Sequence, residues 1–94
     1  MNSQIEGIGT LEKPIGTLKI LVHLHNNEKA TITNLIKDVR LNQRTTYSAL
    51  ENLQDHELIY QEEAKGFPVC KYYKLTGKGC EVAEHLGAIA CILT

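Results

Sequence analysis

Ninety-four residues, 43% of them apolar, suffice for one compact domain with a modest core and predict a single domain over residues 1–94. A net charge of −1, from 10 basic and 11 acidic residues, excludes nucleic-acid binding by bulk charge, so any phosphate contact must come from a local cluster. No apolar run is long enough to span a bilayer, and the opening MNSQIEGIG lacks the basic-then-apolar order of a signal peptide, which predicts a cytoplasmic protein with no membrane partner.

Residues 1–13 hold isolated apolar positions at Ile5, Ile8 and Leu11, but Gly7 and Gly9 weaken a helix there. An N-terminal arm, either frayed or docked on a partner, is expected. Pro14 suits a first helical position, and Ile15, Leu18, Leu21, Val22 and Leu24 then trace an apolar face that ends at the Asn26–Asn27 turn. Lys29 to Thr31 reads as a short strand. Thr31 is a good N-cap for a second helix that buries Leu35, Ile36 and Val39.

Arg40-Leu41 forms the next turn, with Leu41 plugging the angle between the helices. Arg40 stands where a left-handed residue, usually Gly, is often required, so the turn is either strained or of another type. Asn42 caps a third helix over residues 42–56. At about 100° per residue, Thr46, Ala49, Leu50 and Leu53 form a narrow stripe, whereas Arg44 and Ser48 point away and Gln43 and Tyr47 flank one edge. A helix whose first two turns expose hydrogen-bonding side chains, entered from a short helix by a tight turn, is what a major-groove reader needs.

Residues 58–63 read as a strand, 64–68 as a turn built on Gly66 and Pro68, and 69–75 as a returning strand. Strand alternation puts Tyr73 and Leu75 on the core side, with Lys71 escaping to solvent near the tip. Phe67 in the turn either packs on Pro68 or meets a groove or partner. Thr76 caps a last helix, residues 76–94, in which Val82, Leu86, Ile89 and Leu93 form a stripe bordered by Ala83 and Ala90. Its final turns, AIACIL, are apolar nearly all round. Such an end needs a second covering surface, either a partner copy or the first helix.

Cys70, Cys80 and Cys91 are odd in number and form no Cys-x-x-Cys pair, so no metal site is expected. They read as small buried apolar groups, or, for Cys91 on a dimer interface, as a thiol that bonds its symmetry mate or senses oxidants. His23, His25, His56 and His85 read as surface or boundary residues. Charge is unevenly spread: Lys29, Lys37, Arg40 and Arg44 face one acid, Asp38, and Lys65, Lys71, Lys74 and Lys78 face none, with an acidic block at Glu51, Asp55, Glu57, Glu62 and Glu63 between. Folding can bring the two basic stretches onto one face.

The order of elements, together with TTYSALENLQDHELI and KYYKLTGKGCEV, resembles the winged helix-turn-helix of bacterial and archaeal transcription regulators of the PadR and MarR type. Thr45, Tyr47, Leu50, Leu53, Leu58 and Ile59 match the third-helix pattern, and Tyr72, Tyr73, Leu75, Thr76 and Gly79 match the wing pattern, over about residues 14–86. Glu57 departs from the pattern, which has Gly there, and the wing carries Lys in place of an Arg-rich tip. The resemblance implies a mostly α fold with a small β-hairpin wing, a three-helix core and a C-terminal dimerisation helix. It further implies a homodimer that binds double-stranded DNA sequence-specifically, with the 42–56 helix of each copy in a major groove and the 64–69 wing on the backbone.

On that docking, Arg44 suits a bidentate contact to guanine, with Gln43 and Ser48 reading neighbouring bases. Thr31, Thr33, Arg40, Asn42, Thr45, Tyr47, Lys65 and Lys71 suit phosphate contacts. Val82, Leu86, Ile89, Ala90 and Leu93 would line the dimer interface. No cofactor is expected, an effector molecule is not legible in the residues, and no paired carboxylate, nucleophile or phosphate loop suggests an enzyme. The alternative is a winged-helix protein-interaction module without specific DNA binding, favoured by the near-neutral charge and by Glu62-Glu63.

Overall fold

Among the described residues, short-range hydrogen bonds start three of the five helices, and each start is readable in the sequence. The computed structural model describes residues 3–12, 16–64, 66 and 70–94. In chain order these form α1 (Ser3–Glu12), α2 (Thr17–Asn26), α3 (Ile32–Val39), α4 (Gln43–Asp55), β1 (Ile59–Ala64), β2 (Cys70–Leu75) and α5 (Gly77–Leu93). Thr31 begins α3 with a reciprocal box: its Oγ1 accepts from the Asn34 amide at 3.1 Å, and Asn34 Oδ1 accepts from the Thr31 amide at 3.2 Å. Asn42 Oδ1 accepts from the Thr45 amide at 2.8 Å, and Thr76 Oγ1 accepts from the Gly79 amide at 3.0 Å.

The helices α2, α3 and α4 pack around one core, closed below by the hairpin and by α5. Ile20, Leu21, Leu24, Leu35, Leu50 and Leu53 are its fully buried large side chains, joined by Val39, Ala49, Leu58, Ile59, Tyr73 and Ala83. The whole stripe expected on α4, namely Thr46, Ala49, Leu50 and Leu53, is buried. Leu41, in the turn between α3 and α4, is partly buried against the core and packs so closely on Gly16, whose φ is 96°, that a Cβ there would collide with it.

Two expectations are corrected here. Residues 3–12 form a helix rather than an arm, and it docks on its own domain, since Asn52 Nδ2 donates to the Thr10 carbonyl at 2.8 Å and Leu11 packs against the core. Tertiary contact outweighs the local cost of Gly7 and Gly9. On α2 the buried face is Thr17, Ile20, Leu21 and Leu24, and Leu18 is 40% exposed. Apolar residues at five of the helix's positions allow two stripes, and the packing of α2 against α5 chooses between them. Pro14 and Ile15 lie outside the described residues.

The strands pair antiparallel, with Ile59 opposite Leu75, Gln61 opposite Tyr73 and Glu63 opposite Lys71 on the inner face, and Tyr60 opposite Lys74 and Glu62 opposite Tyr72 on the outer. The strand expected at residues 29–31 is reduced to a single bridge. Ala30 and Tyr73 exchange both backbone hydrogen bonds, at 2.8 and 3.2 Å. Lys65, Phe67, Pro68 and Val69 of the expected turn lie outside the described residues.

A tight joint links α4, the wing and α5. The helix α4 ends with Leu58 donating to the Leu53 carbonyl and Glu57 to the Gln54 carbonyl, which places Glu57 in the left-handed region at φ 58°. This is the position where the resemblance leads one to expect Gly. Beside it, Thr76 Oγ1 donates to the Glu57 carbonyl at 2.6 Å and the Thr76 amide to the Leu58 carbonyl at 3.0 Å. Gly79 faces that same Leu58 carbonyl with no space for a Cβ, a physical reason for the glycine in the wing pattern.

Candidate nucleic-acid interface

The polar face of α4 is held outward by its apolar one. Burial of Thr46, Ala49, Leu50 and Leu53 leaves Gln43, Arg44 and Ser48 exposed on the first two turns, and Tyr47 46% exposed beside them. The Thr46 hydroxyl turns inward and donates to the Asn42 carbonyl at 2.9 Å, and Thr45 is half-buried. Glu51 and Asp55 are exposed farther along the helix, so its N-terminal end is the part free of acid.

The expected phosphate contacts divide into two groups. Thr33, Arg40 and Asn42 are exposed and Thr31 half-buried, all at the start of α3 or in the α3–α4 turn. Arg40 takes the left-handed option, with φ 60° and ψ 44°, while its amide donates to the Ile36 carbonyl. Arg40 in the turn and Arg44 on the first turn thus lie on either side of the α4 N-terminus, where backbone amides and positive charge both favour an anion. On the wing, Lys71 is exposed but faces Glu63 across the strands, and Lys65 lies outside the described residues.

The other nearby lysines are already engaged. Lys74 Nζ lies 3.2 Å from Glu62, and this hydrogen bond and its charge raise the ammonium above its ordinary pKa. Lys29 Nζ sits 4.5 Å above the centre of the Tyr72 ring. Gln61 was overlooked in the sequence: its Nε2 donates to the Tyr73 hydroxyl at 3.4 Å. Strand alternation from buried Ile59 already puts Gln61 on the inner face, but the pairing depends on register.

The apolar set on α5 also divides. Val82 and Leu86 pack against the chain's own core, Ala90 is half-buried, and Ile89 and Leu93 are 50% and 80% exposed. Ile92, absent from the expected set, is 83% exposed. Beside them a groove of about 530 Å³ runs between α2, α3 and α5, with Leu18, Val22 and Val39 among its walls. At its edge His23 Nε2 meets Asp38 Oδ2 at 3.0 Å. Ile5 and Ile8 on α1 are likewise mostly exposed.

Cys80 and Cys91 are exposed, which corrects the expectation of buried thiols; the Cys70 side chain is not among those described. His25 and His85 are exposed and His23 and His56 intermediate. Among the described residues no three His, Cys, Asp or Glu side chains gather as a metal site, and no helix is long and apolar enough to cross a membrane.

No protein-family model and no curated protein matches the chain. Solved structures do. The transcriptional repressor BigR from Xylella fastidiosa superposes with a TM-score of 0.80 at 18% identity, over 97% of this chain and 87% of that one. A transcriptional regulator homologue from Pyrococcus horikoshii OT3 gives 0.75 at 21% identity, over 96% and 91%. A protein from Enterococcus faecalis V583, described as a transcriptional regulator of the MarR family, gives 0.76 at 17% identity, over 96% and 84%. With five helices and a two-stranded antiparallel wing among its described residues, the chain has the winged helix-turn-helix fold that these solved transcription regulators share.

Proposed function

We infer that the chain is a transcription regulator that binds double-stranded DNA sequence-specifically as a homodimer in the cytoplasm, and that it is not an enzyme. The observation that carries this reading is the outward face of α4: Gln43, Arg44 and Ser48 exposed on two capped turns, backed by a fully buried stripe. Arg44 takes guanine bidentately, and Gln43 and Ser48 read adjacent bases. Thr31, Thr33, Arg40, Asn42, Thr45 and Tyr47 hold phosphates on either side of the groove, and the wing, through Lys65 and Lys71, rests on the backbone. The proteins of like fold described as transcriptional regulators support the assignment.

The dimer is supported by Ile89, Ile92 and Leu93, apolar and exposed along the end of α5, for which a second copy is the simplest cover. A second reading, a winged-helix module for protein partners, is favoured by the wing lysines, because Lys74 is bonded to Glu62 and Lys71 stands opposite Glu63. Gel retardation with duplex DNA at increasing salt separates the two. A regulator retards the duplex, with log K falling by about 0.9 per unit log salt for each phosphate contacted. Absence of retardation by random or genomic fragments at low salt would remove the DNA reading in favour of the protein module.

A further inference from the structure

A two-stranded hairpin is barely stable alone, so the angle of this wing depends on what pins its inner face. Three rungs face inward. Ile59–Leu75 is anchored in the core, Glu63–Lys71 is polar and exposed, and Gln61–Tyr73 lies between them. Tyr73 is only 7% exposed, and its backbone is tied on the far side to Ala30 by both hydrogen bonds, just before α3 begins. Its hydroxyl accepts from Gln61 on β1, the strand that packs against α4. On the inner face, the middle rung is therefore the last pair tied to the body of the domain before the tip. On the α4 side Tyr47 lies close enough for its charge to raise the Tyr73 pKa, which puts the two phenols in one neighbourhood.

We propose that Gln61, acting through Tyr73, is a positioning residue for DNA reading: it fixes the wing against α4 and so sets the distance between the backbone contact and the groove that α4 enters. This rests on the DNA-reading role inferred above. Gln61 itself touches no base. Its loss leaves Arg44, Gln43 and Ser48 in place but lets the wing tilt, so phosphate attraction persists while the match between helix and wing is lost.

The test uses the full chain with a duplex selected from a random pool and a scrambled duplex of the same composition. Gln61→Leu and Tyr73→Phe each reduce the preference for the selected duplex by about tenfold, and the double variant loses no more than either, because the two act as one unit. Gln61→Glu, whose carboxylate accepts the Tyr73 O–H, retains most of the preference. Binding to the scrambled duplex and its salt dependence stay as in the parent, as does the thermal midpoint at neutral pH, which a purely structural role would lower.

An unchanged preference in Gln61→Leu, equal losses on both duplexes, or additive losses in the double variant overturn the positioning role alone. A parent protein that retards neither duplex overturns the DNA reading and this inference with it.

Discussion

Two single residues carry strain or burial that can be measured directly. Glu57 occupies the left-handed region at the end of α4, where a Cβ costs about 1–2 kcal/mol. Its side chain is exposed, and its carbonyl bond to Thr76 is a backbone one. Glu57→Gly is expected to raise stability by about 1 kcal/mol in urea unfolding, because relief of that strain exceeds the added freedom of the unfolded chain; a loss of stability would show that the Glu side chain makes a compensating contact. Tyr73 gives an alkaline signature. Burial pushes its phenol above 10.0, Tyr47 adds to the rise, and the Gln61 hydrogen bond opposes it.

A raised pKa in the folded state means that the fold holds the proton longer. The contribution of Tyr73 is therefore complete below about pH 10 and is lost as pH rises from there through the folded value. Lys74, raised by its hydrogen bond to Glu62 and by that carboxylate's charge, adds a second loss that begins at the ordinary lysine value of 10.5. Unfolding followed between pH 8 and 11 should show stability declining with pH in the parent, and a shallower decline in Tyr73→Phe. Identical slopes would place the phenol outside the buried setting described.

At the scale of elements, the starts of α3, α4 and α5 were legible because a cap needs only one side chain and an amide three residues on, as Thr31, Asn42 and Thr76 supply. The α4 stripe was legible for a similar reason, since a single face holds all of its aliphatic residues, Ala49, Leu50 and Leu53. What was not legible depends on partners distant in sequence. Helix α1 is held by Asn52, 42 residues away, and the exposure of Leu18 is decided by how α5 lies on α2. The roles of Gln61 and Lys29 likewise required the register of the wing and the placement of Tyr72.

On the proposed reading, α4 and the wing divide the labour of DNA binding. Arg44→Ala is expected to cost about 1–3 kcal/mol on the selected duplex and little on a scrambled one, the loss of one bidentate base contact. Lys71→Ala should weaken both duplexes alike and shift the salt slope by at most about 1, less if Glu63 already neutralises it. Equal and non-selective losses from the two variants would remove the base-reading role of Arg44.

For the whole molecule, the question is what covers the end of α5. Ile89 and Ile92 are exposed in the single chain, so charged substitutions there do not disturb its own core. Ile89→Glu and Ile92→Glu are expected to convert a dimer into folded monomers in sedimentation, with the circular dichroism of the parent and with weakened DNA binding, since two linked sites bind far better than one. A dimer that persists through both changes would locate its interface elsewhere, with the exposed Ile5 and Ile8 of α1 the next candidates.

The joint at Glu57, Leu58, Thr76 and Gly79 then acquires a mechanical meaning. Two hydrogen bonds and a glycine contact fasten the segment that ends α4 to the first turn of α5, so the two helices are joined as one bent rod. If α5 sets the two-fold axis, the separation of the two reading helices is dictated by the angle of that bend, and the operator's half-site spacing becomes a property of a backbone joint that touches no DNA.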